Sequence, residues 1–410
     1  MHSTGRYLLR NRSYNYHELI TTQGFCHIAQ EIFQYLDDSS LAKCRQVCKN
    51  WQQFIDNSFD YFFYTRFLTK YKTEENALFE SADEGFWPVF RCIFEQAKVK
   101  NPADEKGYTP LHFAAWEGHL QIVQLILQNT KRIHPKTDYH GFTPLHYATL
   151  SGHLPVIKCL LKRKTQKLPK DEDGKTPLHL AAENGNFKIV QFFMQKTAKN
   201  CPKDKEGKSP LHYAVENNHF STVKVIVNHL KSDKNPKDKD GVTPLHIASE
   251  LGYFQIVKYL LTKLRSKNPG DKYGITPLHN AVDKGHFHVS ELILKHVKDK
   301  NPGSLENWTP LHDASLRGHL NLVRLIVENI SDEKKKNPKN NIGWTPLHYA
   351  ANSGHVKIVQ FIMKNIKEKC PLTHTKQRPQ DCARNKEIAK IIVKMQKYRK
   401  VHSVDKRKLN

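Results

Sequence analysis

Apolar positions along this chain follow one period. From Thr109 onward a short apolar block and a longer one alternate, and each pair opens on the same four residues. The word is Thr-Pro-Leu-His at Thr109, Thr143, Thr176, Thr243, Thr276, Thr309 and Thr345, and Ser-Pro-Leu-His at Ser209. Successive copies start 34, 33, 33, 34, 33, 33 and 36 residues apart. Threonine or serine is a good N-cap, because its hydroxyl can satisfy a free N–H of the first turn. Proline suits the first helical position, where a missing N–H costs nothing. Leucine and the following alanines turn the apolar side of a short helix inward, and the small alanines let a second helix come close. A left-handed residue then ends the first helix: Gly118, Gly152, Gly185, Gly252, Gly285, Gly318 and Gly354, with Asn218 in the fourth copy. Blocks such as Ile122-Val123 and Leu125-Ile126-Leu127 predict the second helix. A turn ending in Asp-x-x-Gly, as from Asp171 to Gly174, leads to the next copy.

Departures from the period fall in expected loops. An X-Pro pair such as Asn101-Pro102, Asn235-Pro236 or Asn337-Pro338 stands eight positions before each core, except in the second copy, which has one extra residue near Thr137. The other insertions, before Asn235 and around Lys334-Lys335-Lys336, follow the second helix. Loops tolerate changes of length and packed helices do not. A 33-residue period with this wording resembles the ankyrin repeat. That resemblance implies a mainly α fold, an ankyrin-repeat solenoid of helix-turn-helix plus β-turn units. Counting 33 residues back from Thr109 gives Asn76-Ala77-Leu78-Phe79, with Ala82 and Gly85 in register, a degenerate capping repeat over 76–108. Eight full repeats follow over 109–377. Counting 33 forward from Thr345 gives Arg378-Pro379-Gln380-Asp381-Cys382-Ala383, the start of a capping repeat over 378–396 with a polar outer face. Residues 397–410 form a basic tail.

The text ahead of the repeats differs. Residues 1–19 are polar and without pattern, as a disordered terminus would be. Over 20–72 two helical apolar patterns meet at Asp37-Asp38-Ser39-Ser40: Ile28, Ile32, Phe33 and Leu36 before it, and Leu41, Cys44, Val47, Cys48 and Trp51 after it. The block Ile32 to Leu36, the acidic turn and the ending Val47-Cys48-Lys49-Asn50-Trp51 resemble an F-box. The Leu-Pro opening usual in that family is Gly24-Phe25 here. The resemblance implies a small helical domain that binds a Skp-type adaptor through Ile28, Ile32, Phe33, Leu36, Leu41, Val47 and Trp51. Another use for these residues is to shield the first repeat, since so short a hairpin has little core of its own.

Composition changes the picture in three ways. The net charge of +25 and pI near 9.6 would ordinarily suggest an anionic partner. Eight cysteines without a CxxC pair read as reduced, intracellular thiols, placing the chain in the cytoplasm or the nucleus. No signal sequence and no apolar run of membrane-spanning length is present in the sequence, so a membrane is not an expected partner; a nucleic acid is not expected either. The 24 histidines invite a metal reading. Yet ligands one repeat apart would be about 8–10 Å from each other, too far to share one ion. Eight belong to the repeated word, whose imidazole the resemblance implies bonds backbone between repeats, and six more follow the helix-ending position. No phosphate loop, nucleophile elbow or carboxylate pair stands out, so neither cofactor nor enzyme activity is expected.

Two functions remain open. One is a substrate receptor joining a Skp-type adaptor and cullin of a ubiquitin ligase to a target protein. The other is a non-catalytic scaffold or inhibitor without ligase recruitment, and a pathogen effector borrowing a host ligase is a variant of the first. In ankyrin-like proteins targets bind the concave side. Its positions here are Phe113, Tyr147, Leu180, Tyr213, Ile247, Asn280, Asp313 and Tyr349 after the histidines, and Trp116, Leu150, Glu183, Glu216, Glu250, Asp283, Leu316 and Asn352 after the alanines. Tyr108, Phe142, Trp308 and Trp344 precede the repeated word. The face therefore reads aromatic at both ends and acidic in the middle, suited to a target with a basic segment between apolar anchors. Its own basic charge falls on the second helices, at Lys158, Lys188, Lys224, Lys258, Arg324 and Lys357.

Overall fold

A computed structural model describes residues 70–130, 140–161, 168–196, 201–230, 234–366 and 371–408. The chain divides into two compact units, Met1–Lys164 and Thr165–Asn410. The F-box-like residues from Ile28 to Trp51 and the polar terminus lie outside the described residues.

Among the described residues the first unit contains three helix pairs. They are α1 (Glu74–Asp83) with α2 (Trp87–Gln96), α3 (Pro110–Glu117) with α4 (Leu120–Asn129), and α5 (Pro144–Leu150) with α6 (Leu154–Leu160). In the second unit the pairs are α7 (Pro177–Glu183) with α8 (Phe187–Lys196), α9 (Pro210–Glu216) with α10 (Phe220–His229), and α11 (Pro244–Glu250) with α12 (Phe254–Lys263). They continue with α13 (Pro277–Asp283) and α14 (Phe287–His296), α15 (Pro310–Arg317) and α16 (Leu320–Asn329), and α17 (Pro346–Ser353) and α18 (Val356–Asn365). A final helix, α19, spans Lys386–Lys408 and runs across the expected boundary between cap and tail. Within each unit the first helices pack in one row and the second helices in another. This is the helical repeat architecture that the period predicts, with its core between the rows.

Each first helix that opens on the repeated word buries its leucine and histidine and the alanine that follows, and each second helix buries a stripe such as Leu322, Val323, Ile326 and Val327. Such a stripe, fully desolvated, is what holds neighbouring repeats together, since no pair closes a core by itself.

The capping group differs from the expected one. The threonine sits in a reciprocal capping box, but the imidazole is at its centre: the backbone N–H of Thr109 donates to His112 Nδ1 at 3.0 Å, and the hydroxyl lies 3.0 Å from the same nitrogen. With Nδ1 accepting, the proton must sit on Nε2, which donates to the Phe142 carbonyl of the next repeat at 3.3 Å. The arrangement recurs at His179, His212, His246, His279, His312 and His348, with Nε2–O distances of 3.0 to 3.5 Å. Both ring nitrogens are thus used, leaving no lone pair for a metal ion. Burial holds His179, His279, His312 and His348 neutral, with pKa values lowered to about 4.

A second histidine row stitches the other end of the first helix. His219 Nε2 donates to the Glu183 carbonyl at 2.9 Å, and His286 Nε2 to that of Glu250 at 2.9 Å. The ring lies over the glycine that ends the previous first helix. A Cβ on Gly185 would meet His219 Nδ1 at 2.5 Å, and Gly185 has a φ of +72°, so glycine is required there twice over. The asparagine of the Asn-Pro pair also has a task that the sequence did not reveal. Its Oδ1 accepts the N–H of the repeat leucine, from Asn101 to Leu111 and from Asn301 to Leu311 at 3.1 Å each.

The caps differ from one another. At the front both helices form, with Thr73 Oγ1 accepting the Asn76 N–H at 3.1 Å. At the end, Gln380 and Asp381 replace leucine and histidine, and 379–382 make turns in place of a first helix. Without the imidazole and the buried leucine, little stabilises a helix of that length.

Candidate protein-binding face

Asp-x-x-Gly turns position the front of this face. Asp204 Oδ1 accepts the N–H groups of Glu206 and Lys208 at 2.9 and 2.8 Å, and the Lys205 N–H donates to the Asp173 carbonyl of the preceding turn at 2.9 Å. The residue before each repeated word is thereby held against the first helices.

In the first unit the expected aromatic residues converge. Tyr147 lies 6.0 Å from Tyr108, 5.4 Å from Trp116 and 5.5 Å from Phe142 between ring centroids, and Tyr108 lies 5.9 Å from Phe113. The Tyr147 hydroxyl donates to that of Tyr108 at 3.2 Å, and burial, followed by this bond, raises the Tyr147 pKa. A groove of about 440 Å³ opens over Tyr108, Phe113, Trp116 and Tyr147. Carboxylates of Asp83, Asp104 and Glu117 stand on its rim with Lys106.

In the second unit the four ladder carboxylates are present, but none stands alone. Glu183 pairs with Lys175 at 3.5 Å, Glu216 with Lys208 at 2.5 Å, Glu250 with Lys284 at 3.6 Å and Asp283 with Arg317 at 2.7 Å. The sequence carries the signal: lysine precedes the third and fourth repeated words, and a basic residue follows the ladder position in Lys284 and Arg317. Tyr213 is not an open anchor either. It is 8% exposed, its hydroxyl donates to Asp204 Oδ2 at 2.7 Å, and Lys175 Nζ lies 4.5 Å from its ring centroid. Burial, with Asp204 next, raises its pKa.

At the far end of the second unit Trp308, Trp344 and Tyr349 form a cluster, with 4.8 Å from Tyr349 to each indole. Asp313, 9% exposed, accepts from Trp308 Nε1 at 2.6 Å, and burial raises its pKa to about 7. Asn340 Nδ2 donates to the Tyr349 hydroxyl at 2.9 Å. Among the described residues, no group of three or more histidine, cysteine or acidic side chains is arranged to hold a metal, and no helix is long and apolar enough to cross a membrane.

Part of the positive charge serves the fold. Lys100, Lys267 and Lys300 donate to carbonyls at the ends of α2, α12 and α14. Lys170, Lys203 and Lys237 each donate to a carbonyl in the following turn, at 2.9, 2.6 and 2.9 Å.

Comparison with known proteins agrees with this geometry. The family profile for ankyrin repeats matches in overlapping stretches running from 59 to 374, and the F-box-like profile matches 27–67. Human ankyrin repeat domain-containing protein 49 is 45% identical over 49 residues, 12% of this chain and 20% of that relative. The match thus spans about a fifth of that relative's length. Both profiles describe non-catalytic protein-interaction modules. With the period, the paired helices and the histidine caps in agreement, the chain belongs to the ankyrin-repeat family and carries an F-box-like segment ahead of its repeats.

Proposed function

We propose that the chain is a substrate receptor of a cullin-RING ubiquitin ligase, working in the cytoplasm or nucleus. Its F-box-like segment binds a Skp-type adaptor through Ile28, Ile32, Phe33, Leu36, Leu41, Val47 and Trp51, and its repeats hold a target protein. The carrying observation is the pairing, in one chain, of an F-box-like segment at 27–67 with a long ankyrin array. The receptor does no chemistry itself. It raises the target's effective concentration near the ubiquitin-charged enzyme, which tethering accomplishes without new contacts to the reacting groups.

Target binding falls to the aromatic clusters, at Tyr108, Phe113, Trp116, Phe142 and Tyr147 and at Trp308, Trp344 and Tyr349. Glu183, Glu216, Glu250 and Asp283 supply selection for a basic segment that exchanges with the chain's own Lys175, Lys208, Lys284 and Arg317. Exposed ion pairs contribute about 0–1 kcal/mol each, so such an exchange costs little. Aromatic anchors supply most of the affinity of an interface.

Affinity purification of the intact chain, with Ile32→Ala/Leu36→Ala beside it, tests the reading. Adaptor and cullin should co-purify with the parent and be lost from the double variant, while the repeats stay folded. Undiminished adaptor recovery by a soluble double variant refutes the assigned surface. Recovery of a target without adaptor or cullin supports a scaffold, the reading that Gly24-Phe25 in place of Leu-Pro favours.

A further inference from the structure

One tyrosine position recurs three times on the binding face, with three different neighbours. Tyr147, Tyr213 and Tyr349 each follow a repeat histidine and each pack edge-on against the histidine of the preceding repeat, at 5.8 Å in all three. At Tyr213 the residue before the preceding repeated word is Lys175, whose ammonium lies 4.5 Å from the ring centroid and 3.5 Å from Glu183 Oε2. An aromatic face and a carboxylate together hold a cation there. At Tyr349 the equivalent residue is Trp308, whose N–H is taken by buried Asp313. At Tyr147 it is Tyr108, a neutral ring.

The first-unit position therefore has the surroundings of a cation site, and the one lysine on its rim, Lys106, makes no ion pair among the described residues. Trp116, 43% exposed, and Tyr108, Phe113 and Tyr147 line the groove. Asp83, Asp104 and Glu117 stand on its rim, and among the described residues none of them is in an ion pair with a lysine or arginine. Partial burial, then the negative charge of Glu117, raises the Asp83 pKa, a repulsion that an incoming cation would relieve. A cation within about 6 Å of an aromatic face gains most when it is desolvated, and an acidic rim adds to that gain.

We propose that this groove receives the ammonium of a lysine side chain from the protein held by the repeats, in the place that Lys175 fills within the second unit. The assignment rests on the target-binding role proposed above and names one residue type that the target must present. The lysine stem lies along the rings, and the ammonium points to Glu117 and Asp83.

The test uses the full chain and three short peptides: Ac-Ala-Lys-Ala-amide, its trimethyllysine form, and an uncharged form with tert-butyl in place of trimethylammonium. Indole N–H signals of the five tryptophans report the place of binding by NMR. Both charged peptides should shift Trp116, and the uncharged peptide should bind roughly ten-fold more weakly than its trimethyllysine match. Glu117→Gln should weaken the charged peptides several-fold and leave the uncharged one alone. Tyr108→Lys should abolish binding by supplying an internal ammonium. Equal binding of charged and uncharged peptides, a shift at Trp308 or Trp344 in place of Trp116, or no shift overturns the proposal. So does unchanged binding by a folded Glu117→Gln chain. Adaptor recovery is read on the same samples. Its loss with peptide binding intact counts against the ligase reading alone, and the reverse result counts against the groove alone.

Discussion

Tyr147 and Tyr213 occupy one position in two repeats, yet they do opposite things. Tyr213 is closed off by Lys175, Lys208 and Asp204. Tyr147 helps to floor a groove whose carboxylates are in no ion pair with a lysine or arginine among the described residues. The repeat frame is the same in both, down to the 5.8 Å contact with the preceding histidine. What differs in kind are side chains outside the frame: Tyr108 against Lys175 before the repeated word, and Trp116 against Glu183 after the alanines. A binding face can thus be opened or closed by single side chains that the frame does not need, while the frame stays fixed by residues that no target touches.

The largest effect should come from the frame of the second unit. Rings that titrate near 6.5 when unfolded are held near 4 in His179, His279, His312 and His348. Their stabilisation is complete above pH 6.5 and is lost as the pH falls through about 4. Each ring accounts for up to about 3 kcal/mol. Hydrogen exchange in the first helices of this unit should accelerate steeply over that window. Protection that stays flat from pH 7 to 4 would contradict the assignment of neutral, doubly bonded rings.

Asp313 should act in the opposite sense. Its carboxyl titrates near 7 in place of 3.8, so its contribution is present below 3.8 and is lost as the pH rises through about 7. Asp313→Asn keeps an acceptor for Trp308 and removes the charge. It should raise the Tm at pH 8 relative to the parent, by an equivalent of roughly 2–3 kcal/mol, and lose that advantage by pH 4. A variant less stable than the parent at pH 8 would show that the charge is tolerated.

A smaller effect sharpens the comparison directly. Lys175→Ala removes the internal ammonium from Tyr213 and Glu183 and should create a second site for the trimethyllysine peptide. Calorimetric stoichiometry should rise from one to two, with the new site roughly ten-fold weaker or stronger than the first. A stoichiometry that stays at one would mean that Tyr213 is too buried to serve.

The smallest effect belongs to the ladder. Glu250→Gln should change stability by less than about 1 kcal/mol, because Lys284 and Glu250 are both about half exposed. A larger change in thermal unfolding would require a role beyond this ion pair.

The two helices per repeat and the left-handed Asn218, with φ of +58°, were legible from the repeated pattern alone. Periodicity reports what recurs, and the frame recurs. The face was legible only as a list of positions. That Glu183 and Glu216 are paired with Lys175 and Lys208 requires knowing that a residue eight places earlier lies beside them, which no helical or strand period supplies. The role of Asn101 and Asn301 was hidden for a similar reason. Each asparagine accepts an N–H ten residues away, across a turn. The seven candidate adaptor residues fall outside the described residues, and for them the family match at 27–67 stands in place of geometry.

The interlock of glycine and histidine limits how this gene can be rearranged. In the second unit Gly185, Gly252, Gly285 and Gly318 each lie beneath the ring of the following repeat. At one joint both partners change together: Asn218 stands in the glycine's place, and Tyr253, in the histidine's, reaches the Glu216 carbonyl at 3.5 Å. Joining the fourth repeat to one that begins its second helix with histidine would drive a ring into the Asn218 side chain. Recombination between copies is therefore not neutral even though their words agree. Duplication or loss of units is tolerated at the glycine joints, while the fourth and fifth repeats are inherited as a pair.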